Sequence, residues 1–381
     1  MSLVLDEHRQ YLADRSRIER YESALRETIR PGDVVVDLAS GTGILGLLAC
    51  RAGAARVYAV EVQPIAGVAR AIARANGYAD RLHVLHCHSS EARLPEPADV
   101  VLSDQIGRFG FDAGLLPLFD DARARLLKPG GRLIPSRLDL IVAPVEHPRQ
   151  FDRVAFWGRR PAGFDFATVR PMAANTGYPT RLGPRQLLSE PQPGVRLDLA
   201  VAAHYPLRLD AAFVVRRNGT LDGIAGWFSA QLSPSATLSN SPLDPHRITR
   251  RQAFFPIESP VAVGEGDRVD VAMRILPEER IVSWTVTVHA DGGPPVRFSH
   301  STLKGMIIDG ADLRMTDPAY RPALTDRGVA RRCVLELCDG VRTLAQIETE
   351  VFARHPGLFG SAAEAAVFVG EVVTRYTQHA T

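Results

Sequence analysis

Apolar and polar positions change their rhythm three times along this chain. Over residues 6–30, charged side chains recur between apolar ones at helical spacing, which predicts one or two amphipathic helices stopping before Pro31-Gly32. Short apolar runs then alternate with helical stretches. Residues 34–38, 56–62, 81–86 and 99–103 read as strands. Residues 44–54, 65–76 and 115–127 read as helices, the last halted by Pro129-Gly130-Gly131. Units of this βα order predict a parallel sheet with helices on both faces. Beyond about residue 140 the runs become short, β-branched and separated by Pro and Gly, at 197–202, 212–216, 226–232, 268–274 and 281–288. They predict an antiparallel β-barrel or sandwich. Residues 162–193, richer in Pro and Gly, read as an arm or long loop. Helical spacing returns at 329–338, 343–355 and 362–376, with Asp339-Gly340 and Pro356-Gly357 as stops.

A length of 381 residues exceeds what one hydrophobic core organises, so several domains are expected. The boundaries implied are 1–30, 31–143, 144–305 and 306–381, with an arm at about 160–190. With 45% hydrophobic and 23% charged residues the composition is that of a soluble globular protein, and a net charge of +2 gives no argument for nucleic acid, which is not expected as a partner. The opening residues are charged from Asp6 onward, and no run approaches the roughly 18 apolar residues of a membrane helix, so neither signal peptide nor membrane is expected. The four cysteines show no CxxC spacing. Free buried thiols, and with them a cytoplasmic location, are the expectation.

The segment 34–45, Val-Val-Val-Asp37-Leu-Ala39-Ser-Gly41-Thr-Gly43-Ile44-Leu45, reads as strand, glycine loop and helix start. Such a turn lets backbone N–H groups approach a ligand at a positive helix end. Glu61 closes the next strand, 18 residues after Gly43, where a carboxylate accepts ribose hydroxyls. Spacing alone leaves two cofactors open, because Gly41, Gly43 and Gly46 also satisfy the nicotinamide-dinucleotide pattern. Asp37 weighs against the dinucleotide, since its carboxylate would lie close to a pyrophosphate.

The string DLASGTGILGLLACRAGAARVYAVE resembles the first two motifs of the protein arginine methyltransferase family, with Ala39 where that family has glycine. His8-(x5)-Asp14-(x2)-Arg17 resembles the family's N-terminal helix over the cofactor. The resemblance implies S-adenosyl-L-methionine as cofactor. Arg17 would pair with its methionine carboxylate, Asp37 would hold the glycine loop, and Glu61, followed by Val62, would take the ribose. His8 would line the lid, and Ser89-Ser90 would form the adenine turn. The nearby His83, His86 and His88 invite a metal reading, but no further ligand set accompanies them and no metal is expected.

After the fourth strand, Ser103-Asp104-Gln-Ile-Gly107-Arg-Phe-Gly-Phe-Asp112-Ala113 resembles the family's double-glutamate loop, in which two carboxylates grip a guanidinium. Asp104 takes the first acidic position and Asp112 falls one residue short of the second. The family's companion threonine-histidine-tryptophan loop corresponds to residues 239–255, which read Pro245-His246-Arg247-Ile248-Thr249-Arg250-Arg251-Gln252 instead. Asp104, Asp112 and His246 are the candidate catalytic residues. A guanidinium needs bidentate carboxylates, whereas an imidazole needs one group to orient it, so arginine and histidine both stay open as acceptors.

The family resemblance continues to about residue 300, through Trp157, Gly163-Phe164-Asp165 and LSNSP at 238–242, and implies a homodimer formed by the arm. The later string LELCDG-(x)-RT-(x3)-IE at 335–348 resembles PqqD-like domains, which bind leader peptides of ribosomally made natural products. Residues 302–308 and 313–316 are the candidate strands to which a leader would add. The expected fold class is α/β, a Rossmann-like class I methyltransferase domain followed by an antiparallel β-barrel and a small helical C-terminal domain. The expected function is methylation of a side-chain nitrogen in a precursor peptide or protein. Methylation of a carboxylate or small molecule, or a peptide-binding module with a decayed site, are the alternatives.

Overall fold

Every residue of Val34–Leu38 is buried, and this five-residue segment, apolar but for Asp37, forms the central strand, β1, of a parallel sheet. In the computed structural model, which describes residues 4–201, 205–290, 293–307, 310–315 and 318–377, the chain divides into units Met1–Met306 and Ile307–Thr381. Strands β2 (Arg56–Val60), β3 (Leu82–Leu85), β4 (Ala98–Ser103) and β5 (Leu127–Ile134) complete the sheet in the order β3-β2-β1-β4-β5, all parallel. Sequence order reverses at β1, so the loops after β1 and β4 diverge and open a crevice at the carboxyl ends of the strands.

Two helices precede the sheet, α1 (Val4–Ala13) and α2 (Arg15–Thr28), divided at Asp14, whose side chain caps α2 by accepting from Arg17 N–H. Tyr21, Ala24 and Leu25 form the buried stripe of α2, which packs on α3 (Ile44–Arg51). Helices α4 (Ile65–Ala75) and α5 (Leu115–Arg125) follow β2 and β4. The expected helix at 115–127 is therefore shorter, and Lys128-Pro129-Gly130-Gly131 lies inside β5 rather than ending a helix. The pairing explains this: Ala98 opposes Leu127 while Val100 opposes Arg132, so the Pro-Gly-Gly segment bulges out of an edge strand, where proline is tolerated.

The remaining strands are β6 (Arg137–Val145), β7 (Tyr178–Thr180), β8 (Gln192–Asp198), β9 (Leu207–Val214), β10 (Gly219–Gln231), β11 (Thr237–Ser239), β12 (Gln252–Val263), β13 (Arg268–Leu276), β14 (Ile281–His289) and β15 (Val296–Ser301). They form two antiparallel sheets, β7-β12-β10-β6-β8 with β11 on β10, and β15-β14-β13-β9. Ala202, the end of one expected strand, lies outside the described residues, and β8 stops at Asp198. Period-two patterning shows in the pairs Val269↔Val288, Val271↔Val286, Met273↔Trp284 and Ile275↔Val282, all buried. One apolar core runs from the parallel sheet through Phe109, Phe119, Leu138 and Leu140 into Phe213, Phe228 and Trp284. Helix α6 (Pro148–Ala155) precedes the expected arm region, which holds α7 (Arg170–Ala174) and Phe164, 69% exposed.

The second unit contains α8 (Gly310–Met315), α9 (Asp326–Leu337), α10 (Leu344–Arg354) and α11 (Ala362–Tyr376). Ala330, Val334, Leu337, Ile347, Val351 and Phe368 pack into its own core. Thr325, Thr343 and Ser361 cap the last three helices. The two strands expected here are not strands: Thr302–Gly305 is a short 3-10 helix, and Leu313 belongs to α8. Ile308 and Thr316 lie outside the described residues. Among the described residues no helix is long and apolar enough to cross a membrane.

Candidate active site

The loop after β1 turns through left-handed backbone at Ala39 (φ 54°), Gly41 (φ 56°) and Gly43 (φ 77°) and delivers Gly43 as N-cap of α3. Glycine adopts this conformation freely, whereas Ala39 bears a steric cost of about 1 kcal/mol. A methyl group on Gly41 would lie 2.6 Å from the His8 ring, so α1 closes directly over the glycine loop. Asp37, fully buried at the end of β1, accepts from Gly46 N–H at 2.9 Å and ties the strand to α3. Burial pushes its carboxyl up to about 7, against the pull of the Gly46 N–H and Arg17.

Glu61 stands at the end of β2, 7% exposed, and accepts from Gly41 N–H at 2.8 Å and from Gln63 N–H at 2.7 Å. Each of its oxygens keeps a further lone pair free to accept. Ser40 Oγ is buried and has no hydrogen-bond partner among the described residues. Ile44 is half-buried, Leu45 buried and Val62 50% exposed. Ser89 and Ser90 open a 3-10 turn capped by His88, whose Nδ1 lies 2.7 Å from Ser90 Oγ. His86 Nε2 pairs with Val62 O at 3.2 Å, so these two histidines fasten the rim of the sheet.

Asp104 follows β4 on the other side of the crevice. Its Oδ2 accepts from Arg17 Nε at 2.6 Å and from Arg250 at 2.9 Å, and its Oδ1 from the Tyr21 hydroxyl at 3.1 Å. Burial opposes its charge, but Arg17 and Arg250 outweigh that and hold the carboxyl below its ordinary range. Arg17 lies against the Tyr11 and Tyr21 rings and donates to Tyr11 O. Arg250 lies 5.9 Å from the Phe228 ring centroid and donates to Gly107 O at 3.4 Å.

Asp112 has a different task. Its Oδ1 accepts from Arg108 N–H at 2.7 Å and Phe109 N–H at 2.8 Å, closing its own loop as an internal cap. Phe109 then wedges against β10 at Gly226, where any side chain would strike its ring at 2.8 Å. Asn240 is fully buried and donates to Arg108 O and Arg251 O, tying this loop to the segment after β11. Asp14 Oδ2 accepts from both Thr249 N–H (2.7 Å) and Thr249 Oγ1 (2.9 Å), fastening the same segment to α2.

The structure thus brings His8, Arg17, Asp37, Gly41, Gly43, Glu61 and Asp104 around one crevice, and uses Asp112 as a loop cap. His246 is exposed, and its hydrogen bonds are made by its backbone, to Asp244 and from the Ser16 hydroxyl. Sequence reasoning passed over Arg250, Thr249, Asp14 and Asn240. For Thr249 and Arg250 the only signal was that the segment 245–252 departs from the expected loop without losing its polar residues; Asp14 and Asn240 stood in motifs already read, but their contacts to this segment were not readable.

Two family models match consecutive parts of the chain. Residues 22–138 match the ribosomal protein L11 methyltransferase model, and residues 137–286 the arginine methyltransferase oligomerization subdomain. The chain is 33% identical over 269 residues to an arginine N(omega)-methyltransferase of Streptomyces achromogenes subsp. streptozoticus, covering 68% of this chain and 73% of that protein. It is 32% identical over 286 residues to protein arginine N-methyltransferase 6 of Xenopus tropicalis, covering 71% and 84%. Among solved structures, the Trypanosoma brucei PRMT1 enzyme-prozyme complex with AdoHcy superposes with a TM-score of 0.71 at 21% identity, covering 77% of this chain and 97% of that one. Arabidopsis thaliana protein arginine methyltransferase 10 does so with 0.68 at 24% identity, covering 78% and 98%. At these identities the likeness is one of fold.

Proposed function

Because the chain belongs to the arginine methyltransferase family and is an S-adenosylmethionine-dependent methyltransferase, we propose that it methylates a side-chain nitrogen, of arginine or histidine, in a peptide or protein. The observation that carries this reading is Asp104, a buried carboxylate kept ionised at the end of β4, across the crevice from the glycine loop.

The residues present fit the cofactor. A glycine loop that a single Cβ would block, a strand-final carboxylate with free lone pairs, and the unpartnered buried Ser40 hydroxyl make a polar cradle beside β1. In this reading Glu61 holds the ribose, Arg17 the methionine carboxylate, Asp37 the loop, His8 the lid and Ser89-Ser90 the adenine rim. Bound there, S-adenosylmethionine supplies an electrophilic methyl group for in-line displacement. The chain's own residues then place a nitrogen lone pair on the transfer axis and exclude water. Asp104 is the group positioned to orient that nitrogen.

The substrate in this proposal is a ribosomally made precursor peptide recognised by residues 320–377, the part resembling PqqD-like domains. With no strand at 302–305 or 310–315, recognition would use the surface of α11, where Val367 is 69% exposed, and the loop before α10, where Val341 is 85% exposed. A homodimer built through the arm at about residues 160–190, with Phe164 and Phe166 exposed, completes the proposal. Sedimentation showing a fully active monomer would count against the dimer.

The deciding experiment incubates the protein with S-adenosylmethionine and peptides carrying one arginine or one histidine, read by mass spectrometry. Gain of one methyl group on a side-chain nitrogen supports the reading. Methylation confined to carboxylates or small amines would overturn it.

A further inference from the structure

We infer that Arg250 is a specificity-determining residue, occupying on Asp104 the place a guanidinium acceptor would take and so reserving the site for a neutral nitrogen, the imidazole of histidine. This deepens the nitrogen-methyltransferase reading above and rests on it.

An ionised carboxylate offers about four acceptor positions. On Asp104 three are filled, by Arg17 Nε and Arg250 at Oδ2 and by Tyr21 at Oδ1. A guanidinium acceptor needs a pair of well-placed acceptor atoms, and one position does not provide them. Asp112 cannot supply the second carboxylate, because its Oδ1 closes the loop at Arg108 and Phe109 and its Oδ2 faces the Arg108 guanidinium at 3.6 Å.

Charge points the same way. Two guanidiniums already meet one carboxylate, with side chains only 7%, 14% and 11% exposed for Arg17, Arg250 and Asp104. If Arg17 turns to a cofactor carboxylate it frees a second position on Asp104, and the exclusion then rests on charge, because Arg250 still neutralises Asp104. A third guanidinium would enter beside a buried cation with no carboxylate left for it. A neutral imidazole brings no charge and needs one orienting acceptor, which the remaining lone pair of Asp104 provides.

Arg250 is also held in place rather than poised to leave. Thr249, before it, makes two hydrogen bonds to Asp14, and Arg251, after it, accepts from buried Asn240. The guanidinium itself rests on Phe228 and reaches Gly107 O. A backbone pinned on both sides with a three-sided seat for the side chain makes Arg250 part of the pocket wall.

The test compares wild type with Arg250→Ala and Arg250→Lys on two peptides that differ only in one arginine or histidine. Wild type should methylate the histidine peptide with kcat/KM at least about ten-fold above the arginine peptide, the scale that like-charge juxtaposition supports. Arg250→Ala should raise kcat/KM on the arginine peptide by about ten-fold or more, while Arg250→Lys, which keeps the charge, should not. A second readout needs no catalysis: with S-adenosylhomocysteine present, ethylguanidine should raise the melting temperature of Arg250→Ala by filling the vacated seat and leave wild type unchanged. Preference of wild type for the arginine peptide overturns the inference even if the alanine variant does not fold. Failure of every enzyme on both peptides would sink the peptide-nitrogen reading, and the ethylguanidine melt would then decide the seat: no stabilisation of a folded Arg250→Ala overturns it.

Discussion

Asp14 joins the N-terminal helices to the segment that carries Arg250, and its removal should be felt by the whole first unit. The residue is 6% exposed and its carboxylate accepts three hydrogen bonds, from Arg17 N–H, Thr249 N–H and Thr249 Oγ1. In Asp14→Ala the lost helix cap costs about 1 kcal/mol. The two bonds to Thr249 add ~0.5–1 kcal/mol each, the range of neutral rather than charge-assisted bonds, because Thr249 is exposed and water can replace them. The total is about 2–3 kcal/mol, or a melting-temperature fall of roughly 4–6 °C for a unit of this size. Asp14→Asn keeps one acceptor oxygen and should lose about half as much. Calorimetric melts of the cofactor-free protein read this directly. A loss below about 0.5 kcal/mol in Asp14→Ala would refute the claim that this carboxylate fastens segment 245–251 to α2.

Two further predictions concern the glycine loop. Asp37 has its carboxyl raised to about 7, so its contribution to stability is present below about pH 4 and is lost as pH rises through 7. Asp37→Asn keeps an acceptor for Gly46 N–H but cannot ionise, so in urea melts at pH 5 and pH 8 it should gain on wild type by ~2–4 kcal/mol between the two; equal slopes would refute the shift. Ala39→Gly relieves a left-handed alanine, so it should change stability by no more than about 1 kcal/mol and not toward loss, and a clear destabilisation in the same melts would show the strain is not there.

How much of this was legible in the sequence follows from the range of the interactions. The glycine loop, Asp37 and Glu61 were legible because each sits at a strand end and their pairings are short, nine residues for Asp37–Gly46 and 20 for Glu61–Gly41. The helical caps at Asp14, Thr343 and Ser361 are local in the same way. Strand β5 was missed because Lys128-Pro129-Gly130-Gly131 carries turn chemistry, and only pairing with β4 reveals a bulge. The acceptor side was the least legible. Arg250 meets Asp104 across 146 positions and Thr249 meets Asp14 across 235. No spacing rule reaches so far, so a segment that holds the site's second arginine read as a loop that had lost its motif. Asp112 misled for the opposite reason: a carboxylate near the expected position is spent on the N–H groups three and four residues before it.

In the proposed reading, the crevice bounded by the glycine loop, Glu61 and Arg17 binds S-adenosylmethionine. Isothermal titration of S-adenosylhomocysteine into wild type and Glu61→Ala tests it most directly, with circular dichroism to confirm that the variant is folded. Loss of a partly buried carboxylate that accepts the ribose hydroxyls should weaken binding by about 2–4 kcal/mol, a fall in affinity of roughly 30- to 1,000-fold. Wild type that takes up no S-adenosylhomocysteine, or a folded Glu61→Ala that binds it as tightly as wild type, would contradict the account.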